Sequence, residues 1–414
     1  MNASFLPSLP LELSYPLLFG VLLVAGMMGG ELARLLRLPR ILGYVVVGFA
    51  IAPLGDAMGM KALIHEARIF VDLALGLVLF ELGRRMDLRW MRRDWTLAAT
   101  GIVESVLTFG AVFAVLLLFD VDAVKAGLAA AMAMATAPTV LLFMAHEARA
   151  EGQVTERAIN LAALNGLLAS IVATIMLGSA HFERNLDLER AVFMPLYLLV
   201  GSLALGALMA GFARVIARAV ERTSDVHFTL ILGLVAAAVG IASLLRLPVI
   251  LALLAFGLFA RNTERGHDLL AVSLAPVGRL LYIVLFVITG ASLPLGVLSE
   301  AGLVAVAFLV ARVAGKFLGV FAVAPLGGLS FRQATGLGLA LMPMSTLSLL
   351  MYTDVSRYYP AFGEELGVTF LTVLILLEIV GPIAVQAGFR IAGESMPNAT
   401  GAFKPLSPSR PPRP

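Results

Sequence analysis

The sequence predicts an all-α polytopic membrane protein with thirteen transmembrane helices, arranged as two inverted repeats with a crossing pair of broken helices. Three observations carry this prediction. Of 414 residues, 60% are apolar and only 14% charged, against about 25% charged in an average soluble domain. Apolar runs of about 20 residues, the length that crosses a bilayer, follow one another along the chain. Segments of the first half recur in the same order in the second.

The spans can be justified in turn. Residues 1–14 hold no Lys or Arg, so they lack the basic region of a cleaved signal and read as an extracytoplasmic N-terminus. Span one (15–36) carries Gly29 and Gly30, which permit close helix approach and suit either a homodimer seam or packing within one protomer. Span two (40–55) opens after Leu38-Pro39, and span three (67–83) stops at Arg84-Arg85. Span four (96–119) holds Glu104, with Thr108 one turn along the same face. Span five (123–145) is interrupted at Ala135-Thr136-Ala137-Pro138-Thr139, and span six (157–180) contains NLAALNGLLASIV. Residues 191–217 form a linker helix, after which come spans 226–245, 247–261 and 273–292. Span eleven (300–323) sets Arg312 and Lys316 four residues apart, on one helical face. Span twelve (332–353) is interrupted at Pro343-Met344-Ser345-Thr346, and span thirteen (366–391) carries Glu378. Residues 393–414 are rich in Pro and polar residues and read as a disordered tail.

Charge sets the orientation. Twenty of the 30 Lys and Arg fall on one side of this span order and seven on the other, with Arg279, Arg312 and Lys316 at or within spans. Positive residues mark the cytoplasmic side, which puts the N-terminus outside and the C-terminus in the cytoplasm of an inner (plasma) membrane.

Three matches define the repeat. LRLPRILGYVVVGF (36–49) corresponds to LRLPVILALLAFGL (245–258) at an offset of 209. Gly83 in VLFELGRRMDL corresponds to Gly290 in LFVITGASLPL at 207, and MATAPTVLLFM (134–144) to LMPMSTLSLLM (341–351) at 207. Matched spans differ by seven in order, an odd number, so they run in opposite directions. The repeats cover about 15–180 and 226–391 within a membrane domain of 15–392. Inverted repeats with interrupted spans at matching positions are the pattern of secondary transporters. Pro138 and Pro343 lack an N–H and free backbone carbonyls, and Thr136, Thr139, Ser345 and Thr346 could coordinate a cation there or satisfy those groups.

LPRILGYVVVGFAIAP, LVLFELGRRMDLRWMRR, the Ala-Thr-x-Pro break and ARVAGKFLG resemble the monovalent cation:proton antiporter superfamily. Within it, the chain is most similar to the sodium/proton exchanger and potassium-efflux branch. The resemblance implies a homodimer whose mobile core moves against a scaffold in alternating access. It also implies a cation and proton site at an Asp-Asp or Asn-Asp pair in span six. Here Asn165 matches the first member and Gly166 replaces the second. The acid that some relatives carry in the span-five break is Ala137, and an Arg-Gly-Glu-type motif of span twelve is Met344-Ser345-Thr346. The base of span eleven is kept as Arg312 or Lys316.

A proton-coupled exchanger needs a titratable group at its cation site. Glu104 is the leading substitute. Spans four and eleven are repeat equivalents, so Glu104 is expected to face Arg312 or Lys316, as a functional pair or as a static one. Glu378, four residues before Pro382, is the second candidate. Glu31 beside Arg34 and Glu81 before Arg84-Arg85 read as interfacial partners. No nucleophile–base pair, nucleotide fingerprint or metal-ligand spacing is present, and His146, His181 and His267 are expected in loops. With no cysteine, disulfide, thiolate and iron–sulfur chemistry are excluded. An enzyme, a cofactor, a bound metal and a nucleic-acid partner are not expected. The expected function is exchange of K⁺ or Na⁺ for H⁺ through Asn165, Thr136, Thr139, Ser345, Thr346, Glu104 and Glu378, with Arg312 and Lys316 balancing charge. A proton-coupled carrier of an anion or other small solute, and a non-transporting sensor or subunit, are the alternatives.

Overall fold

The computed structural model describes residues 15–52, 60–86, 88, 94–185, 188–220, 223–263, 275–299, 302–344 and 346–395. Among the described residues the regular elements are helices. In the first half these are α1 (Tyr15–Leu35), α2 (Arg40–Ile51), α3 (Met60–Arg85), α4 (Trp95–Leu118), α5 (Ala123–Met134), α6 (Pro138–Ala148) and α7 (Gln153–Asn185). Then come α8 (Leu188–Ala219), α9 (Ser224–Leu244), α10 (Val249–Thr263), α11 (Ala275–Ser292) and α12 (Gly302–Val323). The chain closes with α13 (Phe331–Ala340), α14 (Thr346–Tyr358) and α15 (Pro360–Ala392).

Among the described residues, seven stretches are long and apolar enough to cross a bilayer: Trp95–Leu118, Ala123–Ala148, Gln153–Gly178, Phe193–Ala219, Asp225–Leu244, Gly302–Val323 and Pro360–Ala392. Arg40–Ile51, Val249–Thr263 and Tyr282–Ser292 are shorter apolar helices. The other expected spans, one, three and twelve, fall on α1, α3 and the α13–α14 pair.

The helices sort into two packed groups. One comprises α1–α3 and α8–α11; the other comprises α4–α7 and α12–α15. α7 makes most of the contact between them, lying against α8 and touching α3 and α10. α6 also reaches α3, and α15 reaches α2.

Glycine pairs set the closest crossings. A Cβ at Gly48 would lie 2.2 Å from the Val287 carbonyl oxygen, and one at Gly290 2.4 Å from that of Val45, so α2 and α11 meet backbone to backbone. α3 and α10 meet in the same way: a Cβ at Gly83 would lie 2.3 Å from the Leu254 carbonyl, and one at Gly257 2.1 Å from that of Phe80. The offsets read from the sequence carry Gly48 to Gly257 and Gly83 to Gly290. Exchanging the halves therefore exchanges these two contacts. α4 and α12, the repeat equivalents, cross each other at Glu104 and Gly319.

Gly29 and Gly30 are used inside one protomer, where Cβ atoms would stand 2.6 Å from the Gly43 carbonyl and 2.3 Å from the Tyr44 ring. They let α1 press onto α2, the packing within one protomer that was one of the two uses expected of them. Pro138 starts a helix, standing at the first turn of α6 after Ala137, where its missing N–H costs nothing. His146 lies within α6 and bonds the Leu142 carbonyl at 2.6 Å through Nδ1, outside any loop. His181 also falls inside a helix, α7, and His267 lies outside the described residues.

Gly393 and Glu394, expected in a disordered tail, are held by contacts with the rest of the chain. Gly393 ends α15 in the left-handed conformation (φ 76°). Glu394 then accepts hydrogen bonds from the N–H groups of Val154 (2.7 Å) and Thr155 (2.8 Å) and from the Thr155 hydroxyl (2.8 Å). These are orphan donors at the start of α7, so a carboxylate 240 residues away in sequence caps that helix. Residues 1–14 and 396–414 lie outside the described residues.

Candidate functional site

The site grows from two helix ends. α5 stops at Met134 and α6 begins at Pro138, which leaves Ala135, Thr136 and Ala137 in extended backbone. α13 stops at Ala340, before a second irregular stretch around Met342, Pro343 and Met344. The Ala137 N–H donates to the Pro343 carbonyl at 2.9 Å, so the two breaks touch where they cross. Such backbone is tolerated at membrane depth only when enclosed by protein. The Ala123–Ala148 stretch is accordingly buried throughout its most apolar window.

Both breaks leave carbonyls unpaired at helix C-termini, where the macrodipole favours cations. Arg312 of α12 answers this. Its guanidinium donates to Ala133 (3.0 Å), Ala135 (2.8 Å), Met342 (2.7 Å) and Pro343 (3.5 Å) carbonyls. One planar fork of donors thus joins both breaks. Arg312 is fully buried and gives its hydrogen bonds to backbone carbonyls, so the expected direct pairing with Glu104 falls to Lys316 alone.

Lys316, one turn along α12, donates to the Met134 carbonyl at 2.7 Å and to Thr136 Oγ1 at 3.1 Å. It also forms an ion pair with Glu104 Oε1. Both side chains are 0% exposed. They meet because α4 and α12 approach without side chains between them: a Cβ at Gly319 would lie 2.2 Å from Glu104 Cα, and one at Gly315 2.5 Å from Thr108 Cα.

Asn165 of α7 stands beside Glu104. Its Oδ1 accepts from the Ser105 hydroxyl at 3.2 Å, and its Nδ2 donates to Thr136 Oγ1 at 3.3 Å. The Thr136 hydroxyl in turn donates to the Leu341 carbonyl at 3.2 Å. The network therefore links α4, α7, α12 and both breaks, and Asn165, Thr136 and Ser105 are all buried. Ser105 was missed by the sequence reading. Its signal was present, because buried positions of α4 recur at Thr100-Gly101, Glu104-Ser105, Thr108 and Val112, the period of one helical face.

Other expected site residues are not brought into this network. Thr139 is buried, but its hydroxyl has no hydrogen-bond partner among the described residues. Glu378 of α15 is buried with both carboxyl oxygens equally without one. It lies one turn before Gly381, where a Cβ would come 2.9 Å from Pro343 Cα, so this face of α15 backs the second break. Ser345, and the side chain of Thr346, lie outside the described residues.

Gly166 occupies a different place. A Cβ there would have Leu347 Cδ2 at 3.3 Å and Leu254 Cδ1 at 3.8 Å. Leu347 belongs to α14 and Leu254 to α10, so position 166 faces the seam between the two helix groups. The Glu104–Lys316 pair instead lies inside one group.

Comparison with known proteins follows from this geometry. A family model described as sodium/hydrogen exchanger, transmembrane, matches residues 19–387. The high-affinity Na⁺/H⁺ antiporter NhaS3 of Synechocystis sp. is 26% identical over 442 residues, covering 94% of this chain and 91% of that protein. The structure of the sodium proton antiporter MjNhaP1 from Methanocaldococcus jannaschii at pH 8 is similar with a TM-score of 0.65 and 18% identity, over 91% of this chain and 95% of that one. An electron-microscopy structure of MjNhaP1 gives 0.67 and 16%, over 92% and 98%. The likeness to these two structures establishes a shared fold.

Proposed function

The chain belongs to the sodium/hydrogen exchanger family, and from that premise we propose that it is a secondary active transporter exchanging a monovalent cation, Na⁺ or K⁺, for H⁺. The observation that carries this reading is the buried Glu104–Lys316 pair at the crossing of two helix breaks, beside Asn165. Exchange requires a group that H⁺ and the cation cannot occupy together, and a carboxylate has that property. In this reading Glu104 takes over from the acid absent at Gly166. Oxygens of Asn165, Ser105 and Thr136 complete a cation's shell, while Lys316 neutralises the carboxylate between loads. Glu378 is a second carboxylate on the pathway, and Thr139 lines it. Arg312 keeps the two breaks together and stays clear of the exchange step.

The anion carrier is disfavoured by the same contacts. Arg312 is held by four carbonyls and Lys316 by Glu104, so neither base is left to receive an anion. Alternating access is the movement of α4–α7 with α12–α15 against the other group. We place the protein in the inner (plasma) membrane as a homodimer, with the N-terminus outside and the basic loops in the cytoplasm.

Proteoliposomes holding a pH-sensitive dye test this reading. An imposed Na⁺ or K⁺ gradient is expected to drive proton movement. Movement driven by small anions in its place favours the carrier, and silence with every solute overturns transport.

A further inference from the structure

Contacts that bridge the two helix groups must break if the groups move. One of them is built from charge. Glu147 lies in the last turn of α6, just beyond the site, and Arg40 is the first residue of α2 in the other group. The Arg40 N–H reaches Glu147 Oε1 at 3.2 Å and Oε2 at 3.3 Å, and Arg40 Nε lies 3.9 Å from Oε1. α2 needs this carboxylate: Pro39 precedes it and supplies no side-chain cap, and an uncapped helix start has orphan N–H groups and positive dipole charge. The cap therefore comes from the opposite group, 107 residues away in sequence. Arg40 is itself held in place by Glu31 at 2.9 Å, which also binds Arg34 at 2.7 Å. These partners belong to the first group, so the cluster is anchored on one side and Glu147 is the part that can leave.

We infer that Glu147 is a latch that closes the side of the transporter bearing the basic loops, formed when the groups meet there and released in each cycle. The inference rests on the exchange reading, and its tests separate the two. Because α6 continues directly from the first break, withdrawal of Glu147 from α2 moves the carbonyl-bearing segment 135–137 with it.

The chain contains no cysteine, so paired cysteines can be introduced without a background. In a Leu36→Cys, Ala148→Cys variant, which keeps Arg40 and Glu147, a short reducible bridge between the two thiols is expected to bring cation-driven proton flux down to that of empty liposomes. Reduction is expected to restore it. Flux that persists through a complete bridge overturns the latch.

A second measurement needs no transport. Spin labels at Leu36→Cys and Ala148→Cys report the separation of the α1–α2 turn from the end of α6. Glu147→Ala is expected to shift the distance distribution toward longer separations. An unchanged distribution overturns the latch even if the unsubstituted chain proves silent in flux, a result that would count against exchange alone.

Discussion

Replacing Lys316 by methionine keeps the length of the side chain but removes its charge, and it leaves Glu104 alone in a fully buried position. Breaking a buried ion pair by removing one partner costs about 3–5 kcal/mol, because the remaining charge has lost its compensation. The Met134 carbonyl, now held at 2.7 Å, loses its donor as well, adding about 1 kcal/mol. Glu104→Gln is expected to cost a similar amount for the mirrored reason. The double variant, with no charge left in the pocket, is expected to lie within about 1–2 kcal/mol of the unsubstituted protein, since buried pairs are often replaceable as a unit. Unfolding of the four proteins in mixed micelles gives the coupling energy directly from a double-mutant cycle, and the two single costs less that of the double variant make it about 6 kcal/mol or more. Additive effects refute the reasoning, because they mean that the two charges do not stabilise each other.

Three further outcomes follow from the contacts. Arg312→Met leaves the Ala133, Ala135 and Met342 carbonyls without their shared donor, while Pro343 keeps the Ala137 N–H; at about 1–3 kcal/mol for each unsatisfied group, purified yield and thermal stability are expected to collapse. Gly319→Ala inserts a Cβ 2.2 Å from Glu104 Cα, whereas the nearest atom to one at Gly166 is a flexible Leu347 methyl at 3.3 Å. The first is expected to lower both stability and proton flux, while Gly166→Ala stays near the unsubstituted protein in thermal stability. Glu394→Ala removes the cap of α7 and is expected to cost about 1 kcal/mol, read as a lower melting temperature together with faster hydrogen exchange at Val154 and Thr155.

The fold was legible because its signals are repetitive. Helix lengths follow from apolar runs, and the matches at offsets 207 and 209 already contain Gly48, Gly83, Gly257 and Gly290, the four residues that set two of the closest crossings. Half of the site was legible for a similar reason. Glu104 is a charge in mid-span, and repeat equivalence set α4 against α12, which brought it to Lys316. Arg312 was read as a partner for an acid because sequence displays side chains, whereas its partners are carbonyls that become available only where a helix stops. Glu147 and Glu394 were hidden in another way. Each lies near a helix end and looks like a solvated charge, but its acceptor oxygens serve the N-terminus of a helix 107 or 240 residues distant. Gly166 stands where the family resemblance implies an acid. Its position on the seam, against Leu254 and Leu347, depended on packing that no local pattern encodes.

Proton flux through Glu104→Gln, in the same proteoliposomes as the unsubstituted chain, tests the role of this carboxylate most directly. A Na⁺ or K⁺ gradient is expected to drive proton movement in the unsubstituted chain and none above empty liposomes in the variant, with both proteins incorporated equally. Equal flux in the two would contradict a titrating Glu104 and return that role to another residue.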